Sequence, residues 1–169
     1  MKILLRYLNK YIFFLLPETR CFSLKRFMYR LQGYYIGSNT QICSSARIYG
    51  SGDIVIGDNV WIGPEVMIVS SSFIKIENNV DIAPRVYIGT GSHIVGDKEE
   101  RMAGTGIVKN VLIKKGSWIG SNVIIMPGVT IEEMTVVGAG AVVTKNFQAF
   151  SILAGVPAKI IKSSKKVSK

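Results

Sequence analysis

"VLIKKGSWIGSNVIIMPGVTIEEMTVVGAGAVVTKN", residues 111–146, decides the fold. Ile113, Ile119, Ile125, Ile131, Val137 and Val143 stand six residues apart, and all are β-branched and aliphatic. The same step runs through the first half of the chain at Ile36, Ile42 and Ile48, at Ile56, Ile62 and Ile68, and at Ile76, Ile82 and Ile88. Four residues after each mark, up to Ala141, comes a residue no larger than Val, as at Thr40, Ala46, Gly52, Val60, Ser117 and Thr135. Three residues after several marks come Asn39, Asn59, Asn79, Asn122, Gly128 and Gly140, the residue types that best tolerate a left-handed turn.

Neither a helix nor a simple alternating strand repeats every six residues with one slot kept small. A short strand, a tight turn and another short strand do. Three such sides close a coil of about eighteen residues, and successive coils stack about 4.8 Å apart by parallel pairing. The expected fold is mainly β, a solenoid of about five coils with the marks inside and the small residues in the corners. Extra residues at 54–55 and 74–75 lengthen the early coils and bring 36, 56 and 76 into line.

The chain has 169 residues, 48% apolar and 19% charged, which suits one domain with a buried core rather than a disordered segment. Its net charge of +10 sits at the ends. Residues 1–34 carry seven Lys/Arg and one Glu, and residues 159–169 carry five Lys and no acid. The middle carries nine basic and ten acidic residues, which argues against a nucleic-acid face on the core. Cys21 and Cys43 stand in unrelated contexts and suggest neither a disulfide framework nor a metal site.

Three regions follow: a helical segment over 1–34, the β-helix over 35–146 with a loop at 95–110, and a C-terminal segment with a basic tail over 147–169. In the first region Leu4, Leu5, Leu8, Ile12 and Leu15 recur at helical spacing until Pro17. A second helix is expected over Phe22 to Leu31, with Leu24, Phe27, Met28 and Leu31 on one face and Lys25, Arg26 and Arg30 on others. These helices read as a cap over the open end of the solenoid or as a basic amphipathic surface in peripheral contact with a membrane. The apolar run Tyr11 to Leu16 is too short to span a bilayer, and no signal-peptide cleavage site follows it. The expected location is the cytoplasm, with the inner face of the membrane as the place of any such contact.

His93 is the only histidine, and the repeat breaks beside it. After Ile94 the expected step is replaced by "VGDKEERMAGTGIVKN", polar and rich in glycine, before the rhythm resumes at Ile113. A long loop in so regular a solenoid is a functional arm or a tolerated insertion. An arm that leaves a prism can reach a neighbouring prism, so His93 is placed in a cleft between subunits. A free imidazole titrates at about 6.5 and can take the proton of a sugar hydroxyl as it attacks a thioester.

The repeat, the histidine and the stretches "GSWIGSNVIIMPGVTI", "VVGAGAVVTKN" and "AGVPAKIIK" together resemble the hexapeptide-repeat acyltransferases, whose coils form a left-handed parallel β-helix. The resemblance covers residues 36–162 and is nearest to galactoside, maltose and bacterial surface-polysaccharide O-acetyltransferases. It implies acetyl-CoA as acyl donor, no metal, a homotrimer with three sites between subunits, and His93 as catalytic base. It places Trp118 and Ser121 beside the pantetheine arm, Ala139 and Thr144 against the same cofactor, and Lys159 and Lys162 near the adenosine phosphates. Coenzyme A is polyanionic, so the two lysines also make electrostatic sense on their own. Glu99, Glu100 and Arg101 are candidates to orient the imidazole or the acceptor.

Each assignment has a plainer alternative. Trp118 could serve only a subunit contact, since Trp61 occupies the equivalent step of an earlier coil. Ala139 could be a small turn residue, and the lysines solvated charges. Two departures from the galactoside and maltose branch, Ile94 where proline is usual and "VSSSF" where an asparagine faces the acceptor, turn the expected acceptor toward a surface glycan or its precursor. N-acetylation of an amino sugar, O-acetylation of serine, and a non-catalytic scaffold remain the other readings. A zinc carbonic anhydrase on this fold would need three imidazoles per site.

Overall fold

The computed structural model describes residues 2–96 and 101–163. Three parallel faces are wound from short strands. The first face holds β1 (Tyr35–Ile36), β4 (Asp53–Ile56), β7 (Phe73–Ile76), β12 (Val111–Ile113) and β15 (Thr130–Ile131). The second holds β2 (Gln41–Ile42), β5 (Trp61–Ile62), β8 (Asp81–Ile82), β13 (Trp118–Ile119), β16 (Val136–Val137) and β18 (Ser151–Ala154). On this face β19 (Lys159–Ser163) closes the end by pairing antiparallel with β18. The third holds β3 (Arg47–Gly50), β6 (Met67–Ser70), β9 (Tyr87–Gly89), β14 (Ile124–Ile125) and β17 (Val142–Val143). The chain visits the faces in the same order in each of the five complete coils. The result is a β-solenoid of about six turns, five complete and a sixth begun by β18.

The six-residue marks are the interior. Ile36, Ile56, Ile76, Ile113 and Ile131 pair in register down the first face. Ile42, Ile62, Ile82, Ile119, Val137 and Leu153 do so down the second. Ile48, Ile68, Ile88, Ile125 and Val143 complete the third. All fifteen marked residues are 4% exposed or less. Parallel pairing in register stacks each aliphatic side chain on its equivalent in the next coil, so the core is three continuous ladders. The additional residues of the early coils give the first face a second inward column, Ile54, Ile74 and Val111, all buried.

The turns follow the three-after-mark slot more strictly than residue type suggests. Asn39, Asn59, Asn79 and Asn122 have positive φ there, as expected, but so do Glu65, Arg85 and Met134. The stacked strands impose the left-handed turn whether or not the side chain favours it. Gly50 is needed for another reason: its φ is +133°, and a Cβ there would lie 1.8 Å from Ser70 O in the next coil.

Two helices precede the solenoid, α1 (Lys2–Leu15) and α2 (Phe22–Leu31). Both spans agree with the sequence, but the orientation of α2 does not. Its packed side carries Lys25, Met28 and Tyr29, while Leu24, Phe27 and Leu31 are exposed. Lys25 is wholly buried because the turn after α1 supplies its partners: Nζ donates to Pro17 O at 3.1 Å and Glu18 O at 2.8 Å. Burial pulls its ammonium pKa down. Glu18 in turn accepts from the Ser45 hydroxyl at 2.6 Å, which pins the helical cap to the first coil.

The segment expected as a loop at 95–110 is largely a β-hairpin that starts earlier. β10 (Gly91–Val95) pairs antiparallel with β11 (Ala103–Val108). Ile94 is therefore not an inward mark; it is 55% exposed on the hairpin. The last inward mark before the arm is Ile88.

Candidate active site

The arm leaves at the corner between the third and first faces, after β9 and before β12. Thr90 anchors its base. The buried Thr90 hydroxyl accepts Ser71 N–H at 2.7 Å, its N–H donates to Val69 O at 3.2 Å, and its carbonyl accepts Lys109 N–H at 2.8 Å. Ser72, one coil before the arm, has a buried hydroxyl with no hydrogen-bond partner among the described residues.

His93 sits on β10 opposite Gly106, just before a register shift. Its Nδ1 lies 2.8 Å from Gly104 O across the hairpin. A carbonyl can only accept, so Nδ1 carries the hydrogen and the neutral ring presents the Nε2 lone pair elsewhere. The residue is exposed. A neutral ring held by this contact has Nε2 as its acceptor nitrogen, the form that a general base requires.

The other candidate residues fall in two groups. Trp118, 56% exposed, faces outward from the second face in register with Asp81 and Val136. Trp61 also pairs with Asp81, so the two indoles flank one carboxylate on that face. Ser121 and Ala139 lie at the next corner, one coil apart, where Ser121 O accepts Gly140 N–H at 2.8 Å. A Cβ on Gly120 would come within 2.7 Å of Ala139 N, so that corner is closely packed. Thr144 follows β17 and lies on the same edge as the arm.

In a three-sided prism, the corner between the third and first faces lies opposite the second face. One chain therefore holds the base of the arm and Trp118 on opposite sides of the prism.

Lys159 and Lys162 belong to β19, paired with Ala154 and Ile152. Lys159 lines a cleft of about 510 Å³ with Lys145, Asn146, Phe147, Gln148 and Ile160. Lys145 was missed in the sequence, although it directly follows Thr144 in a stretch already singled out. Its Nζ stands 5.7 Å from the centre of the Phe147 ring. A cleft with two cations and an aromatic ring suits a phosphorylated aromatic ligand. Its Lys145 side lies two coils from the arm, about 10 Å along the axis, and Lys159 lies beyond it, so only an extended ligand reaches from one to the other. Arg101 is exposed at the arm's tip, and Glu99 and Glu100 lie outside the described residues.

The cysteines take no evident part. Cys43 is buried in the first coil, and burial pushes its thiol up to about 11, which keeps it protonated. Cys21 is exposed at the start of α2, in the helical cap rather than near the arm. No cluster of three or more potential metal ligands occurs among the described residues.

Residues 110–145 match the family model for the bacterial transferase hexapeptide (six repeats). Galactoside O-acetyltransferase of Escherichia coli (strain K12) is 46% identical over 52 residues, which cover 31% of this chain and 26% of that protein. The matched segments span about a quarter to a third of the length of such curated relatives. A solved maltose O-acetyltransferase from Clostridium difficile 630 superposes with a TM-score of 0.76 at 26% identity, covering 95% of this chain and 85% of its own. AntD, an N-acyltransferase from Bacillus cereus solved with dTDP and 3-hydroxybutyryl-CoA, superposes with a TM-score of 0.70 at 22% identity over 89% and 92% of the two chains, a similarity of fold. The stacked six-residue repeat of residues 110–145 is thus that of the bacterial transferase hexapeptide, and the chain as a whole is similar in fold to a maltose O-acetyltransferase and in part of its sequence to a galactoside O-acetyltransferase.

Proposed function

We propose that this protein transfers the acetyl group of acetyl-CoA to a sugar hydroxyl of a surface glycan or its precursor, with His93 as general base. The observation that carries the proposal is the His93–Gly104 hydrogen bond, which leaves Nε2 free to accept a proton. The sugar oxygen attacks the thioester carbonyl carbon as Nε2 takes its proton. The tetrahedral intermediate then expels the coenzyme A thiolate, and Nε2 returns the proton to sulfur. A C–O bond forms, a C–S bond breaks, and the imidazole ends as it began. No acyl-enzyme is required, which agrees with a cysteine kept protonated by burial.

The acyl donor is assigned to the second face and the terminal hairpin. Trp118, Ser121 and Ala139 line the pantetheine arm, Thr144 of the subunit that gives the His93 hairpin meets it from the opposite side, and Lys159 with Lys145 meets the phosphates in the cleft beside Phe147. Lys162 is the outer cation of the same hairpin. Because the base of the arm and Trp118 lie on opposite sides of one prism, the working site combines the arm of one subunit with the second face of another, and we assign the assembly as a homotrimer.

Amino-sugar N-acetylation is the second reading, favoured by the similarity of fold to AntD. Both are tested by incubating the protein with acetyl-CoA and a panel of sugars, nucleotide sugars and glycan fragments, followed by mass spectrometry. A product labile to mild base identifies an ester and supports O-transfer; a base-stable product identifies an amide. Absence of acetyl-CoA binding and of any acetylated product contradicts the catalytic reading.

A further inference from the structure

The two N-terminal helices turn apolar sides outward. In α1 the inward side carries Asn9 and Phe13, which meet α2: Asn9 Nδ2 donates to Met28 O at 3.2 Å, and the Phe13 and Tyr29 rings are 5.2 Å apart. The opposite side carries Leu8, Tyr11, Phe14 and Leu15, with Phe14 84% and Leu15 80% exposed. In α2 the exposed residues Leu24, Phe27 and Leu31 stand opposite the packed Lys25, Met28 and Tyr29. A surface helix ordinarily presents polar residues there, and an apolar surface of this extent marks a contact. Exposed Lys10 and Arg30 border the two stripes.

We propose that α1 and α2 dock this protein on an anionic lipid surface, lying flat at the headgroup boundary with the two stripes turned toward the acyl chains. The 14 residues of α1 extend about 21 Å, short of a hydrocarbon core of about 30 Å. No helix among the described residues is long and apolar enough to cross a membrane, so the helix geometry suits surface contact. Charge selects the occupant. The first 34 residues carry seven Lys/Arg against one Glu; Lys25 is buried and Arg26 and Arg30 donate to the first coil, which leaves the region basic still, while the middle of the chain is close to neutral. Pairing this region with itself in a second copy would bring like charges together, whereas anionic headgroups attract them. The docking does not depend on the acetyl-transfer reading.

The test is co-sedimentation of the full chain with vesicles of phosphatidylcholine alone, or of phosphatidylcholine with phosphatidylglycerol. The protein is expected to pellet with the mixed vesicles and not with the neutral ones. The pair Phe14→Ser and Leu15→Ser should lower partitioning about tenfold or more, with unchanged melting temperature and sedimentation coefficient. Lys10→Glu should cause a smaller loss that disappears at high salt. Three results would overturn the proposal: no pelleting with anionic vesicles at low salt, partitioning unaffected by the double variant, or a change of oligomeric state in that variant, which would assign the stripes to a subunit contact.

Discussion

His93 owes its position to its backbone neighbours. The Gly104 carbonyl, across the hairpin, takes the Nδ1 hydrogen, so Nε2 is the acceptor nitrogen of the neutral ring. His93→Ala should lower turnover about 10²–10⁴-fold and leave acetyl-CoA affinity little changed, as read by steady-state kinetics and calorimetric titration. Full turnover in that variant would remove His93 as the base. Cys43 provides a separate check through stability. Its thiol is raised by burial from 9.0 to about 11, so the folded state retains a proton that the unfolded chain releases first. The stabilisation is complete below pH about 9 and is lost as pH rises toward about 11. Melting temperature should therefore fall more steeply over that window in wild type than in Cys43→Ala. His93 could be singled out in the sequence because it is the lone imidazole at a break in the rhythm, and the break is where the hairpin leaves the stack. The burial of Lys25 was not legible, since carbonyl oxygens from a turn seven and eight residues away determine it and no local pattern encodes them.

At the level of the elements, the strands are too short to stand alone and are held by stacking. Many have only two residues, and the interior ladder supplies their stability. Ile82, between Ile62 and Ile119 in the second-face column, is a direct probe: Ile82→Ala should cost about 2–5 kcal/mol in denaturant unfolding. The arm has a different support. Thr90→Val keeps the volume but leaves the Ser71 N–H without its acceptor, for about 1–3 kcal/mol. It should reduce activity more than Ile82→Ala does, because Thr90 also aims the hairpin. Equal effects on activity would mean that aiming the arm is not its distinct role. The ladders could be read directly from the sequence because each sixth residue is the inside of a face. The hairpin could not. Its strands pair only with each other, its composition resembles a polar loop, and Ile94 imitates a mark while pointing outward. The left-handed turns at Glu65, Arg85 and Met134 were hidden for a related reason: the stack imposes them on residues that do not advertise them.

For the whole molecule, the decisive feature is the separation of the arm and Trp118 to different sides of the prism. The arm leaves one edge and the exposed Trp118 lies on the opposite face. The arm also carries exposed Val95, Met102 and Val108, apolar side chains without a core of their own in one chain. Both facts are accounted for when the arm of one subunit closes over the second face of the next. The most direct test mixes two crippled proteins. His93→Ala subunits lack the base and Trp118→Ala subunits lack the donor surface, and each alone should be poorly active at low acetyl-CoA. Reassembled together in equal amounts, they form some sites with an intact arm from one parent and an intact face from the other, so activity should recover to about a quarter of wild type. A mixture no more active than its parents, despite verified exchange of subunits, would show that the base and the donor surface do not meet across copies, and the account would fail.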